Sequence, residues 1–364
     1  MFESVVKNFD FNGDLIANEP YGGGHINSTF LLTFKSKSGN IRRYILQKIN
    51  TSVFPDPDSL MNNICKVTDF LRKKIKLAGG DVKRETLKFI PCNTGKYYFI
   101  DDNGDCWRAY CFVEDTSTYQ AVENPIHFYN AGKSFGQFQN KLSDFPAKEL
   151  VETIKDFHDT GVRYDNFIKA VEKDPLGRAK DVQKEIDFVL ERKKEATKIV
   201  DLLKLGDIPY RVTHNDTKFN NILIDNETGE GICVIDLDTV MPGCALYDYG
   251  DAIRFGASSA AEDETDLDKV YMNMELFEQF TKGFLEATKD VLTPAELENM
   301  AFSAKLMTLE CGSRFLADHI LGDVYFKIHH EGHNLERART QLKLVADMEF
   351  KMDKMNEIVK KYSR

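Results

Sequence analysis

The stretch of sequence that decides the fold lies between residues 212 and 240 and reads VTHNDTKFNNILID, NETGEG and ICVIDLDTV in succession. The runs ILI and ICVI are rich in β-branched residues, and the polar, glycine-containing segment between them is typical of a turn, so the stretch predicts a β-hairpin. Asp216 and Asn221 precede the hairpin, and Asp236 and Asp238 stand at its end. Phosphoryl transfer needs a carboxylate near the attacking hydroxyl and hard oxygen ligands for Mg²⁺. We therefore predict that Asp216 is catalytic, that Asn221 and Asp236 bind the metal, and that Asp238 either binds a metal ion or orders the loop. The alternative is a polar loop with acids that meet by chance.

The bulk composition narrows the class of protein. The 364 residues carry a net charge of −10 and are 42% hydrophobic, an ordinary globular composition with room for two domains. An acidic surface repels phosphate backbones, so we expect no nucleic acid partner. No apolar run reaches the roughly 18 residues of a membrane span, and the first residues lack the pattern of a signal peptide. The seven cysteines stand at irregular spacings, form no zinc motif and fit a reducing cytoplasm.

The first third of the chain predicts a sheet and one helix. Apolar residues recur at three- and four-residue steps between Leu60 and Ile75, which predicts a helix that ends at Gly79 and Gly80. Runs of β-branched and aromatic residues predict five strands, which together would form an antiparallel sheet, at 26–34, 41–49, 85–90, 96–101 and 106–113.

The remainder of the chain is mostly helical in pattern. A long charged helix is predicted over 177–204, and Thr293 with Glu296 forms a capping box at the start of another that continues past Leu316. The sequence therefore predicts an α+β protein of two lobes, residues 1–113 and residues 114–364. Ligands favour the cleft between two such lobes.

The pattern HxDxxxxN from His214 to Asn221, followed by IDxD, resembles the aminoglycoside phosphotransferase and choline kinase family. The resemblance implies a protein-kinase-like fold with ATP and Mg²⁺ as cofactors. Pro242 and Asp248, in MPGCALYDYG, are similar to a family segment whose aspartate braces the catalytic loop. Asp248 and His214 are therefore expected to be structural.

The N-terminal lobe is expected to hold the nucleotide. Consecutive glycines let backbone amides approach phosphates closely, and the glycines here precede the first predicted strand. Lys48 is the cation that the next strand offers to the α- and β-phosphates, although strict alternation would put Gln47 there. The helix that supplies a glutamate partner in this fold has no glutamate between residues 58 and 76. The predicted nucleotide-binding residues are Gly22, Gly23, Gly24, Ser28, Thr29, Lys48, and Phe112, Val113 and Glu114 of the linker between the lobes.

A closer resemblance is to the bacterial N-acetylhexosamine 1-kinases, a branch of the same family. It spreads from YGGGHINSTF at residue 21 through YILQKINTSVFPDPDSLMNNI, TIKDFHDT, HNDTKFNNIL, DLDTVMPG and LYDYGDAIRF to LECGSRFLADHILGDVYF. The resemblance implies transfer of the ATP γ-phosphate to the anomeric hydroxyl of N-acetylglucosamine or N-acetylgalactosamine. The candidate acceptor residues are Asp216, His25, His158, Glu310 and Arg314.

Several alternatives stay open at the level of sequence. Arg314 either pairs with Glu310, four residues earlier on the same helix, or contacts the sugar. The acceptor could be an aminoglycoside, choline or homoserine, or the chain could be an inactive, nucleotide-binding regulator. A protein kinase is disfavoured because no DFG or APE segment follows Asp236. A monomer is adequate for this architecture.

Overall fold

The computed structural model describes residues 2–22, 26–119 and 124–364. The first part of the chain forms an antiparallel sheet in which the strands lie in the order β1-β2-β3-β6-β4, with β5 also paired to β6. The elements are α1 (Phe2–Val6), β1 (Asp14–Pro20), β2 (Ser28–Lys35), β3 (Ile41–Ile49), α2 (Pro57–Leu77), β4 (Phe89–Ile90), β5 (Phe99–Ile100) and β6 (Cys106–Cys111).

The prediction of five strands was wrong, because the part of the chain that the structure describes has six strands in this sheet. Strand β1 was missed: six of its seven residues are exposed, so its sequence DLIANEP shows none of the alternation that reveals a half-buried strand. It pairs along β2 from Asp14 opposite Lys35 to Pro20 opposite Phe30. Pro20 is tolerated there because an edge strand can do without one backbone donor.

Helix α2 is where the sequence predicted it. Asp56 caps its first turn by accepting from the backbone N–H of Ser59, and Pro57 occupies the first helical position. The apolar face from Leu60 to Ile75 is buried against the sheet and the second lobe. The helix ends at Leu77 with Ala78 as its C-cap, and Gly79 follows with a left-handed φ of 77°.

The second part of the chain is mainly helical. Its helices are α3 (Pro125–Lys141), α4 (Thr160–Lys173), α5 (Gln183–Glu191), α6 (Lys193–Ala196), α7 (Lys198–Leu205), α8 (Ala245–Gly256), α9 (Met274–Thr288), α10 (Pro294–Leu321) and α11 (His333–Tyr362). The single helix predicted over 177–204 is in fact α5, α6 and α7, separated at Arg192 and Thr197. The capping box of Thr293 and Glu296 is present at the start of α10.

The described residues also form short strands in this part: β7 (Thr116–Ser117), β8 (Arg211–Thr213), β9 (Ile222–Asp225), β10 (Gly231–Val234) and β11 (Met241–Gly243). The predicted hairpin is β9 and β10, which pair antiparallel. Strand β11 pairs with β8 and so holds the end of this segment against its beginning. The stretch from residue 212 to residue 240 therefore folds back on itself, with its two ends side by side.

Helix α3 packs against strand β10 of this hairpin and against helix α9. A Cβ atom on Gly132 would lie 2.3 Å from the carbonyl oxygen of Phe280, and one on Gly283 would lie 2.1 Å from that of Tyr129. Both positions therefore require glycine for the two helices to approach this closely. Among the described residues, no helix has the length and apolar character needed to cross a bilayer.

Candidate active site

A cavity of about 490 Å³ lies between the first sheet and the β9–β10 hairpin, a size typical of sites for small molecules. One wall comes from β2, β3 and β6, and the other from the loop before β9 and the end of β10. Asp216, Asn221 and Asp236 all line it. The loop before β9 and the end of β10 thus bring three polar residues to one cavity.

The loop that carries Asp216 is anchored by a buried carboxylate. Asp248, at the start of α8, accepts the backbone N–H groups of His214 at 3.0 Å and Asn215 at 2.8 Å. Gln139 of α3 donates to the same carboxylate at 2.6 Å. Burial raises the pKa of Asp248. These contacts use the carboxylate to order the loop, as the family resemblance implied.

His214 also orders the loop. Its Nε2 lies 2.8 Å from the carbonyl oxygen of Ile235, and its Nδ1 lies 3.3 Å from the backbone N–H of Asp216. The carbonyl can only accept and the N–H can only donate, so the imidazole carries its proton on Nε2. Both ring nitrogens are therefore occupied, and the imidazole connects the catalytic loop to the end of β10.

Asp216 is surrounded by donors. Nζ of Lys218 lies 2.8 Å from its Oδ1, and the amide of Asn221 donates to its Oδ2 at 3.2 Å and to its carbonyl oxygen at 2.8 Å. Burial opposes the charge of Lys218, but Asp216 and then Asp251 outweigh it and raise the pKa of the ammonium group. Lys218 was missed in the sequence, although a lysine two residues after the predicted catalytic aspartate was the available signal.

Asp236 is the residue best suited to hold a cation. Its backbone is left-handed, with φ 57°, and the residue lines the cavity. Burial, followed by repulsion from Asp238 and Asp216, raises its pKa to about 6. A buried carboxylate held beside two others gains stability when a divalent ion binds. Asp236 and Asn221 thus fit a metal site.

Of the two roles expected for Asp238, metal binding and ordering of the loop, the contacts of its carboxylate favour the second. One of its carboxylate oxygens pairs with Nη1 of Arg108, and the other accepts from Nδ2 of Asn27 at 2.6 Å. Its side chain is only 6% exposed. Asp238 therefore connects the hairpin to the first sheet, which is the loop-ordering role.

A second polar cluster lies around Glu310 of α10. Nδ1 of His158 is 3.2 Å from both carboxylate oxygens of Glu310, and Nη1 of Arg314 is 3.7 Å from one of them. Burial alone would raise the pKa of Glu310, but His158, Arg314 and Arg163 outweigh it and lower the pKa. We call His158, Arg163, Glu310 and Arg314 the lower cluster.

Aromatic rings complete the lower cluster. The guanidinium of Arg314 lies 5.7 Å from the ring of Phe157, 5.9 Å from that of Tyr325 and 5.5 Å from that of Phe326, distances typical of cation–π contacts. Nε2 of His158 is buried and has no hydrogen-bond partner among the residues that the structure describes. Buried polar atoms are usually hydrogen-bonded, so this nitrogen calls for a partner that the described residues do not supply.

Asp251 connects the lower cluster to the catalytic loop. Its Oδ2 accepts the backbone N–H of Thr217 at 3.2 Å, next to Asp216, and its Oδ1 accepts from Nε of Arg254 at 2.9 Å. Burial would raise its pKa, but Arg254 and then His158 outweigh it and lower the pKa. The two sets of polar residues therefore form one continuous network.

Residues 18–275 match the model of the phosphotransferase enzyme family, APH. This match covers well over half of the chain. The chain belongs to the APH phosphotransferase family.

Solved structures resemble this phosphotransferase in fold. An amicoumacin kinase in complex with AMP-PNP, Ca²⁺ and Ami is 15% identical, with 94% of this chain and 92% of that chain covered and a TM-score of 0.59. An aminoglycoside phosphotransferase from Alicyclobacillus acidocaldarius is 10% identical, with 99% of this chain and 96% of that chain covered and a TM-score of 0.61. A choline kinase from Cryptosporidium parvum is 13% identical, with 95% of this chain and 93% of that chain covered and a TM-score of 0.54. The predicted two-lobed, protein-kinase-like α+β fold is confirmed.

In this phosphotransferase, the face of strand β3 decides which residues meet the cavity. Thr29 pairs with Gln47, and Gln47 pairs with Arg108, so these three side chains share the face that lines the cavity. Ser28 and Lys48 are also partners across the strands, and they occupy the opposite face. Nζ of Lys48 instead lies 2.8 Å from Asp105. The side chains of Ser28 and Lys48 therefore face away from the cavity, and of the two residues considered on β3 it is Gln47 that lines it.

The linker between the sheet and the helices also contributes to the phosphotransferase cavity. Phe112 and Val113 line it, together with Tyr21, whose ring meets that of Phe112 edge-on at 5.6 Å. Glu114 lies outside the lining, where its carboxylate pairs with Arg43, so its predicted contact is not made by its side chain. Gly22 lines the cavity mouth, whereas Gly23, Gly24 and His25 lie outside the described residues.

Proposed function

We propose that this phosphotransferase transfers the γ-phosphate of ATP, with Mg²⁺, to the anomeric hydroxyl of N-acetylglucosamine or N-acetylgalactosamine. ATP would occupy the cavity, with its base against Tyr21, Phe112 and Val113. Asp236 and Asn221 would hold Mg²⁺, which when bound neutralises the charge on the phosphates. The acceptor would lie between Asp216 and the lower cluster.

The observation that carries the acceptor assignment is the charge of the lower cluster. It contains two guanidinium groups, Arg163 and Arg314, against one carboxylate, Glu310. Burial and then the charge of Arg314 lower the pKa of Arg163, so the two guanidinium groups of the lower cluster repel each other. A cationic acceptor such as an aminoglycoside or choline would be repelled by such a wall. A neutral sugar would find donors, one acceptor and aromatic rings.

The contacts of the lower cluster also suit a hydroxylated ring. Tyr325 is 68% exposed beside Arg314, so an aromatic face is available to a ligand. Nε2 of His158 is without a partner among the described side chains, as noted above. The lower cluster includes residues of the stretches TIKDFHDT and LECGSRFLADHILGDVYF, which carry the resemblance to the N-acetylhexosamine 1-kinases.

The chain's own residues then account for the chemistry. Asp216 hydrogen-bonds the anomeric hydroxyl and accepts its proton as the hydroxyl oxygen bonds to the γ-phosphorus. The bond from the γ-phosphorus to the β-phosphate oxygen breaks, and ADP leaves. Lys218 holds the Asp216 carboxylate in place and supplies a positive charge beside the transferred group. Most of the acceleration comes from positioning and from charge stabilisation.

An acceptor panel tests the proposal. ADP release from Mg-ATP is followed with N-acetylglucosamine, N-acetylgalactosamine, glucose, galactose, choline, homoserine and kanamycin, with the Asp216→Asn protein as background. We expect turnover with the two N-acetylhexosamines alone. Preferred turnover of choline, homoserine or kanamycin would overturn the acceptor assignment. Binding of ATP without turnover of any acceptor would favour the regulatory alternative.

A further inference from the structure

The α- and β-phosphates of a nucleotide in the proposed site need a cation beside them. Kinases of this fold neutralise the α- and β-phosphates with a lysine on the third strand, which pairs with a glutamate of the following helix. Here Lys48 points away from the cavity and binds Asp105, and α2 contains no glutamate. Both members of the usual ion pair are therefore missing from their usual positions.

Two cations line the cavity among the described residues, Arg108 and Lys218. Lys218 is bound to Asp216 on the catalytic loop. Arg108 is on β6, directly opposite Gln47, which occupies the inward position on β3. Arg108 is 2% exposed, so its charge is held in a medium where it interacts strongly with other charges.

The contacts of Arg108 fix its guanidinium and leave part of it free. Nε donates to Oε1 of Gln47 at 3.0 Å, and the amide of Gln47 donates to Oγ1 of Thr29 at 3.0 Å. Nη1 pairs with Asp238. The described part of the chain offers Nη2 no hydrogen-bond partner. Two of its nitrogens are therefore used for orientation, and the third can donate to a ligand.

We infer that Arg108 is the cation that binds the α- and β-phosphates, and that Asp238 takes the part of the missing helix glutamate. The cation lies on β6, the strand next to β3, and the carboxylate lies just after the hairpin. As in the usual ion pair, a carboxylate orients a buried cation that lines the nucleotide cavity. A guanidinium suits this arrangement because its planar fork can bind a carboxylate and a phosphate at once.

Asp238 is positioned to hold Arg108 and the residue before β2 together. Asn27, just after the glycine segment, donates to the carboxylate oxygen that Arg108 does not hold, and its own Oδ1 accepts from the backbone N–H of Asn50 at 2.9 Å. Asp238 thus joins the cation to the strand that follows the glycines. It does so two residues after Asp236, so the cation and the proposed metal site share one short segment.

The inference rests on the proposed nucleotide site but not on the identity of the acceptor. Its test is the binding of Mg-ATP, Mg-ADP and adenosine by calorimetry to the wild-type protein, Arg108→Met, Arg108→Lys and the matched control Lys48→Met. We expect Arg108→Met to bind Mg-ATP and Mg-ADP roughly 10- to 100-fold more weakly, the loss of one or two charged hydrogen bonds. Adenosine binding should be unchanged, Arg108→Lys should be intermediate, and Lys48→Met should match the wild type.

The double variant Arg108→Met/Asp238→Asn guards against misfolding, because it removes both buried charges together. It should show the same selective loss of Mg-ATP and Mg-ADP. Unchanged Mg-ADP binding in Arg108→Met and in the double variant would overturn the inference. So would an equal loss of adenosine affinity in these variants, or a loss of Mg-ADP affinity in Lys48→Met. If the wild-type protein bound neither ATP nor adenosine, the nucleotide site itself would be refuted.

Discussion

Nζ of Lys218 lies 2.8 Å from Oδ1 of Asp216, at the mouth of the cavity between the two lobes. The pair places a positive charge beside the carboxylate that we assign to the acceptor hydroxyl. The side chain of Asp216 is 25% exposed, so a substrate can reach it without displacing the loop. The remaining contacts of the loop, from Asp248 and His214, keep this pair in position.

Replacing the carboxylate should remove catalysis and spare binding. Asp216→Asn keeps the shape of the side chain and the carbonyl contact from Asn221, but an amide cannot accept the hydroxyl proton. We expect kcat to fall by about 10²–10⁴-fold, the usual contribution of a positioned base, with Mg-ATP affinity largely kept. Steady-state kinetics and calorimetry measure the two quantities, and a variant with nearly full kcat would exclude Asp216 as the base.

Replacing Lys218 should lower the rate of transfer. Lys218→Met removes the charge while keeping the length of the side chain, so we expect kcat to fall by about 10- to 100-fold as one charged contact is lost. Lys218→Arg should recover part of the rate. The matched control is Lys361→Met, which also breaks an ion pair of 2.8 Å, with Glu278, but at an exposed site. Equal effects of Lys218→Met and Lys361→Met would rule out a role in transfer.

Asp236→Asn should stabilise the free protein while it abolishes function. The buried carboxylate is repelled by Asp238 and Asp216, so an amide of the same shape removes an unfavourable charge. We expect Tm to rise by a few degrees, since 1 kcal/mol corresponds to about 2–4 °C for a large domain. The further rise in Tm that Mg-ATP gives to the wild-type protein should disappear. A variant still stabilised by Mg-ATP would contradict the metal assignment.

The stability gained by Asp236→Asn should depend on pH in a defined direction. The pKa of this carboxyl is about 6 in the folded protein and about 3.9 when the chain is unfolded. Its charge therefore penalises folding fully above pH 6, and the penalty fades as the pH falls toward about 4. The difference in Tm between variant and wild type should be largest at pH 7.5 and small at pH 4. A difference that grew as the pH fell would have the wrong sign.

Asp248→Ala should destabilise the whole protein. It leaves two backbone N–H groups without their acceptor in a buried site, and the amide of Gln139 keeps only its contact with the carbonyl of Val212. We expect a loss of about 2–5 kcal/mol in the free energy of unfolding. Urea unfolding measures it against Asp201→Ala, an exposed aspartate on α7, for which a change within about 0.5 kcal/mol is expected. Similar values for both would show that Asp248 does not anchor the loop.

Arg314→Met should affect the acceptor and not the nucleotide. The side chain belongs to the lower cluster and is 19% exposed, so its loss should raise the KM for the sugar by about 10-fold or more. The KM for ATP should stay within about twofold. The control is Arg339→Met, which breaks the surface contact with Glu185. An unchanged KM for the sugar would leave Arg314 with the purely structural pairing to Glu310.

The sequence was sufficient for elements with strong local signals. Helix α2 was visible because its apolar residues follow the helical period and its ends carry a cap and a glycine pair. The hairpin of β9 and β10 was visible because turn residues separate two runs of β-branched residues. Residues Asp216, Asn221 and Asp236 stand at fixed offsets from that hairpin, and all three line the cavity.

The remaining features depend on contacts between distant residues. Whether Gln47 or Lys48 faces the cavity is decided by the pairing of β3 with its neighbours, since a shift of one residue moves every side chain to the other face. The contact of Arg108 with Asp238 joins residues 130 positions apart. Strand β1 is recognised by its partner rather than by its own composition. No local pattern contains this information.

The most direct test of the central claim is the structure of the product formed from N-acetylglucosamine and Mg-ATP, read by phosphorus NMR. The account predicts one sugar phosphate whose phosphorus signal is coupled to the anomeric proton, with ADP as the second product in equal amount. A phosphorus signal coupled instead to the C6 methylene protons, or ADP formed without any sugar phosphate, would contradict it.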